Sequence, residues 1–191
     1  MAYSTVRRVL PHEYAKYRQH LKSLDLDSKI LRFGCVIKDE VIDQLGQNIE
    51  NDRDNHVLFC VENNNLEFIA VGHIALGDTM ELAFSVLKEY QNQGLGSAVM
   101  RRCIQWCRTH NILEGEMVCL STNRAIRHLC NKHGIGMVND QGETMATIYL
   151  EPADAGTYIG EVINQNLGAI DWLSKRAVLP VFKLGRQLTA Q

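Results

Sequence analysis

Three things are scarce in this sequence: net charge, long apolar runs and paired cysteines. Lys and Arg number 20 against 22 Asp and Glu, a net charge of −2. No global basic field is therefore present to recruit nucleic acid. No apolar run is long enough to span a bilayer. Met1 to Arg8 lack the apolar core of a signal peptide. Together these absences predict a cytoplasmic protein. The six cysteines (Cys35, Cys60, Cys103, Cys107, Cys119 and Cys130) form no CxxC pair, and this is no small secreted scaffold. Cys103, Cys107 and His110 share one helix face and admit two readings, a metal site or two core thiols beside a solvated helix end. Thiols are among the most buried side chains, so the core reading is expected, without a metal.

What is present is ordinary globular material: 46% apolar and 22% charged residues over 191 positions. Such a chain buries a large core without staples. It fits one domain, residues 1–150, with an appendage, residues 151–191. Ser4 to Leu10 reads as a short strand. Pro11 opens a helix to about Leu24, and Asp25 to Ser28 is a polar break. Asp39 to Asn51 is a second helix, with Val41, Ile42, Leu45 and Ile49 on one face. Strands follow at Val57–Val61, Leu66–Leu76 and Thr79–Val86, with turns at Asn63-Asn64-Asn65 and Gly77-Asp78. A helix from Gly94 to His110, a strand at Glu116–Leu120 and a helix from Asn123 to His133 come next. Gly134 stops that helix, and Met137–Val138 with Thr144–Leu150 form a closing hairpin. A meander followed by strand–helix alternation implies an α/β fold with a mixed, mostly antiparallel sheet flanked by helices.

The most informative segment is the passage from strand to helix at Gln91-Asn92-Gln93-Gly94-Leu95-Gly96. Gly94 and Gly96 let a ligand approach the backbone. The first N–H groups of the new helix lack internal partners and point outward. With the helix dipole they suit a pyrophosphate, while on spacing alone the two glycines equally fit an ordinary tight strand-to-helix turn. Val99, Cys103 and Trp106 or Cys107 give that helix its buried face, and Arg101, Arg102, Gln105 and Arg108 its wet one. A dinucleotide-binding reading fails twice: Val99 is not small, and the next strand ends Cys119-Leu120-Ser121 without an acid.

Gln91-x-x-Gly94-x-Gly96 after an apolar strand resembles the acetyl-CoA motif of the GNAT superfamily, Q/R-x-x-G-x-G/A. Asn123-Arg-Ala-Ile126-Arg-His-Leu129-Cys130-Asn-Lys132-His-Gly134-Ile135 resembles its second motif. Ser28-Lys-Ile-Leu-Arg32-Phe33 and Glu81-Leu-Ala-Phe are similar to the GNAT domains of bacterial protein acetyltransferases. The resemblance covers residues 4 to 150 and implies a GNAT fold carrying a C-terminal helical extension. It implies acetyl-CoA as cosubstrate and an amine acceptor, either a small molecule or a protein lysine or N-terminus. The amides of Gln93, Gly94, Leu95, Gly96 and Ser97 would hold the pyrophosphate. Ser85 and Val86 would hold the pantetheine arm, and an amide near Val86 would polarise the thioester carbonyl. Asn123 would contact the pantetheine or sulfur region, serve as an ordinary N-cap, or do both.

Acetyl transfer needs a neutral amine, so a base must take its proton. Strand alternation puts Glu81, Ala83 and Ser85 on one face and Leu82, Phe84 and Val86 on the other. A two-residue Gly77-Asp78 turn sets Ile74, Gly72 and Ala70 opposite Glu81, Ala83 and Ser85, a trench of small residues beside a carboxylate. Glu81 is thus the candidate base, against the plainer reading of an exposed strand carboxylate. The same register puts His73 on the other face; a turn with an odd number of residues reverses that. In many GNAT enzymes a tyrosine protonates the leaving thiolate, but Cys130 stands at that position. Cys130, water or Tyr149 is left for the role.

Beyond Glu151, Tyr158, Ile159, Val162, Ile163, Leu167, Ile170 and Leu173 recur at helical spacing. After Asp171 the charges are Lys175, Arg176, Lys183 and Arg186, all basic. The helix has three readings: it packs on its own domain, forms a homodimer, or lies on an anionic membrane or partner. Pro180 is expected to break it. A different functional reading for the whole chain is a non-catalytic acyl-CoA-binding or sensing domain.

Overall fold

The computed structural model describes residues 5–140 and 143–188. Strand β1 (Arg7–Arg8) leads through a 3₁₀ turn at Pro11–Glu13 into α1 (Tyr14–Lys22). Next come α2 (Leu26–Phe33), α3 (Asp39–Asn51), β2 (His56–Glu62), β3 (Phe68–Leu76) and β4 (Met80–Val86). The second half holds α4 (Leu95–Thr109), β5 (Glu114–Leu120), α5 (Arg124–Lys132), β6 (Val138–Asp140), β7 (Glu143–Tyr149) and α6 (Ala155–Leu188). Among the described residues the strands form one seven-stranded sheet ordered β1-β2-β3-β4-β5-β7-β6. Every pairing is antiparallel except β4 with β5.

The period-two pattern of β2 builds both halves of the core. Val57, Phe59 and Val61 pack with Val99 and Cys103 of α4, while Leu58 and Cys60 pack with Tyr17 and Leu21 of α1 and Ile42 and Ile49 of α3. Val41, expected among the apolar contacts of α3, is instead exposed. Arg7 is buried between two carboxylates. Its guanidinium donates to Glu13 at 2.7 and 2.8 Å and to Glu62 at 2.6 and 2.9 Å. Burial pushes the Glu13 carboxyl up, but Arg7 and Lys16 outweigh it and hold it at about 2. Breaking one partner of this group would leave a buried charge uncompensated.

Several expectations are corrected. The Asp25–Ser28 break is the start of α2: Asp25 accepts from the Ser28 N–H at 3.2 Å as N-cap, and Gly34 closes the helix at φ 77°. The β3–β4 turn holds three residues, since Leu76 pairs with Met80. That odd number shifts the register by one. Ala75 lies opposite Glu81, His73 opposite Ala83, and Gly72 opposite Phe84. His73 therefore shares the Glu81 face, and Gly72 faces Val99 and Cys103 of α4. The side of α4 read as wet is partly covered, for Arg102 is buried beneath α6 and pairs with Glu161. Helix α6 also runs through Pro180 rather than stopping there; a proline in a long helix removes one bond and more often kinks than terminates it.

His20 and His73 are both buried, and burial lowers them to about 4 and about 3 from the usual 6.5. The unfolded chain then binds more protons than the folded one between those values. Stability must fall as pH drops below 6.5, by at most about 1.4 kcal/mol per pH unit for each histidine. Urea denaturation at pH 7.5 and pH 5 should show this loss, and His20→Gln should flatten it. A midpoint independent of pH in that window would mean that both imidazoles are solvated.

Candidate active site

The site begins where the sheet splits. β4 and β5 are in register only at Met80–Gly115 and Glu81–Glu116. Beyond that point β4 continues to Val86 and β5 to Leu120 without a ladder between them. Gly115 stands at the vertex, where a Cβ would lie 2.5 Å from the Met80 carbonyl oxygen. Only glycine lets the two backbones meet so closely.

The start of α4 closes one end of the split. Gly94 is its N-cap at φ 81°, no side chain caps it, and the first intrahelical bond runs from the Ala98 N–H to the Gly94 carbonyl. The N–H groups of Leu95, Gly96 and Ser97 precede that bond, a geometry that suits an anion. A cleft of about 430 Å³ lies between this turn, the end of β4, helix α2 and helix α5. Ser85, Val86, Gln91, Gly94, Leu95, Gly96, Ser97 and Asn123 all line it. Gln93 does not; its side-chain amide donates to the Glu89 carbonyl at 3.1 Å.

Polar side chains brace the walls. Gln91 Nε2 donates to the Val86 carbonyl and to Ser28 Oγ, both at 3.1 Å. Asn123 Oδ1 caps α5 by accepting from the Ile126 N–H at 3.1 Å, and its Nδ2 reaches the Leu31 carbonyl at 3.4 Å. One residue thus ties α5 to α2 across the cleft. Ser85 Oγ lies 2.8 Å from His20 Nε2, and His20 Nδ1 lies 2.8 Å from the Phe68 carbonyl. A carbonyl only accepts, so Nδ1 carries the proton and the Ser85 hydroxyl donates to Nε2. The low pKa of His20 fits this neutral tautomer.

Glu81 is exposed at the vertex, outside the cleft lining, beside Glu116 on β5. Its face continues through Ala75 to His56 and through Ala83 to His73. His56 Nδ1 and His73 Nε2 are 2.9 Å apart, so one donates and the other accepts. Cys130 is fully buried among the core residues of α4 and β5, and burial raises its thiol to about 11. It does not line the cleft. Cys103 and Cys107 are core residues, and His110 stacks on Trp106 with ring centroids 4.0 Å apart. No group of metal-ligating side chains occurs among the described residues.

Sequence reasoning did not find the contributions of α2 and α5 to the cleft lining: Leu31 and Arg32 from one, Ala125, His128 and Lys132 from the other. The Asp25…Gly34 bracket was the signal for α2. His20 was legible only as one member of the inward stripe Tyr14, Tyr17, His20, Leu21.

The fold is similar to several solved acetyltransferases. One is the GNAT domain of S. lividans PAT, with a TM-score of 0.63 at 17% identity over 76% of this chain and 89% of that one. Another is a GNAT-family acetyltransferase from Streptococcus pneumoniae, with a TM-score of 0.60 at 19% identity over 76% and 98%. A third, an N-acetyltransferase (PaiA) from Thermoplasma acidophilum solved in complex with coenzyme A, has a TM-score of 0.56 at 11% identity over 75% and 97%. No curated protein matches the chain in sequence. The sequence model of the acetyltransferase (GNAT) family matches residues 24–135, more than half of the chain. The chain therefore belongs to the acetyltransferase (GNAT) family.

Proposed function

We propose that this protein transfers the acetyl group of acetyl-CoA to an amine within a ternary complex. The observation that carries the reading is the split between β4 and β5, opening onto an α4 N-terminus that no side chain caps. The amides of Gly94 to Ser97 receive the diphosphate, with the Gln93 amide at the edge of that group, and Lys132 brings a cation to the same cleft. The end of β4 at Ser85 and Val86 lies open along the cleft, with no strand bonded to its β5 side, and takes the extended pantetheine arm. Gln91 orients that strand end, and Asn123 holds the cleft wall while capping α5. An amide near Val86 polarises the thioester carbonyl.

The acceptor amine approaches from the Glu81 face, where Ala75 and Ala83 leave room. Glu81 takes its proton, directly or through water. Cys130 is poorly placed to return a proton to the departing thiolate, and its burial supports a packing role. Solvent at the cleft mouth serves that step, since a thiolate is a good leaving group. Residues 1–150 form the catalytic unit and 151–191 an appendage. The acceptor is a protein lysine or N-terminus, or a small amine; a structural neighbour from Brucella melitensis is named as a ribosomal-protein-alanine N-acetyltransferase (TM-score 0.56, 12% identity). Free thiols at Cys35, Cys60, Cys103, Cys107 and Cys130 fit a cytoplasmic setting. Among the described residues no helix is long and apolar enough to cross a membrane.

Turnover of acetyl-CoA against peptides and small amines, with mass spectrometry of the products, tests the activity; binding without release of coenzyme A to any amine would favour the sensing domain. Gly96→Leu adds a side chain where a Cβ already lies 3.3 Å from Leu129. It should weaken coenzyme A binding at least about tenfold in calorimetry, and unchanged affinity would remove the cleft from the reading. Glu81→Gln should lower kcat by about 10²-fold with coenzyme A affinity intact. Cys130→Ala should lower Tm yet change kcat far less than that, whereas an equal loss would restore the thiol as the proton donor.

A further inference from the structure

Helix α6 turns its polar side inward. Glu161 forms a buried ion pair with Arg102, Asn164 donates to Gln105 at 2.8 Å, and Lys175 donates to the Glu62 carbonyl at 3.0 Å. Gly168 lies against Arg7, where a Cβ would come within 2.8 Å of the Arg7 Cβ. Glu161, Gly168 and Lys175 are seven residues apart and mark the face that meets the domain. The opposite face is apolar and bare: Ile159, Ile163, Ile170 and Leu173 are between 51% and 63% exposed.

The bare face has a definite spacing. Ile159, Ile163, Asn166, Ile170, Leu173 and Ala177 follow one another at steps of four, three, four, three and four. That alternation is the seam of a coiled coil, with one polar residue near its middle. We propose that α6 pairs with the α6 of a second copy of this chain through this seam, making the protein a homodimer.

Three observations select a second copy over a lipid surface. Between Ala155 and Ser174 the charged residues are Glu161 and Asp171, and both are engaged, with Arg102 and Lys175. Identical helices therefore approach without repulsion over that stretch, and the basic residues at its end are engaged within the chain, Lys175 with Asp171 and the Glu62 carbonyl and Arg176 over the Trp172 ring. Asn166 would lose its hydrogen bonds in hydrocarbon but meets its own copy across a two-fold axis, where amide can satisfy amide. Val162 and Leu167, also more than half exposed, widen the seam on both sides. A standard interface needs about 800 Å² from each partner, within reach of a helix presenting this many half-exposed apolar side chains.

Light scattering and sedimentation of the full chain test the pairing, and neither depends on the acetyl-transfer reading. The chain should have twice its monomer mass at about 100 µM, ample for an interface of this class. The double variant Ile163→Asp/Ile170→Asp should halve that mass while circular dichroism and coenzyme A binding stay as in the parent, because both side chains are exposed in the single chain. Asn166→Leu should remain associated, with its dissociation shifted to lower concentration or its order of assembly raised. A parent chain that stays monomeric would overturn the proposal, as would a double variant that stays dimeric. If the monomer instead sediments with phosphatidylserine-containing vesicles, the face is a membrane contact.

Discussion

One short parallel ladder governs this structure. Two register pairs, Met80–Gly115 and Glu81–Glu116, hold the meander of β1 to β4 to the β5–β7 half, and the strands then part. An open strand edge in a folded interior leaves backbone N–H and C=O groups without partners, which is costly unless something pairs with them. Here the gap faces a cleft instead of core. The parting can begin where it does because Gly115 lets the Met80 backbone come close enough to clamp the vertex. The cleft walls follow from the same geometry: α4 starts at the end of β4, and α5 starts at the end of β5. Both helices present their first turns to the gap, and only the α5 turn is capped by a side chain, that of Asn123.

How much of this could be read from the chain alone depends on how local the cause is. Helices α4 and α5 are bounded by local chemistry, a left-handed glycine at Gly94 and an Asn cap with Gly134 as stop, and both were legible to within a residue or two. The cleft residues on the α4 turn, and Asn123 at the start of α5, were legible for the same reason. Register is different, because it depends on a count. Thr79 belongs to the turn and not the strand, and that single residue moves His73 onto the Glu81 face and Gly72 beneath α4. Helix α2 was hidden by its polar first turn, Asp25 to Ser28, which reads as a loop until Asp25 is seen as a cap. Burial of Arg102 was illegible in principle, since it depends on α6 returning across fifty-nine residues of sequence to supply Glu161.

That return raises an energetic question. Charged side chains are poor glue for a buried contact, because desolvation offsets most of the attraction. The Arg102–Glu161 pair lowers this cost by being bidentate, and the guanidinium also lies 4.8 Å from the centre of the Phe59 ring. Burial raises the Glu161 carboxyl, and Arg102 more than reverses the effect. Specificity is what such a contact adds: with Asn164 on Gln105 and Lys175 on the Glu62 carbonyl, α6 has one rotational setting about its axis. Fixing that rotation is what presents Ile159, Ile163 and Ile170 together on the outside.

The same distinction between charge and neutrality organises the acceptor side of the proposed reaction. An alkyl amine arrives protonated at neutral pH. The vertex offers it two carboxylates, Glu81 and Glu116, in register on adjacent strands, which favour the cation's arrival. Deeper along the face the imidazoles are neutral: His73 is held at about 3 by burial, by Arg32 and by His56, and His20 is held at about 4. The proposed acceptor route thus starts at two carboxylates and runs toward buried, neutral imidazoles. In the proposed reaction the proton leaves by way of Glu81, which is exposed to solvent. The three-residue turn and the glycine vertex hold Glu81 between the solvent and those buried imidazoles.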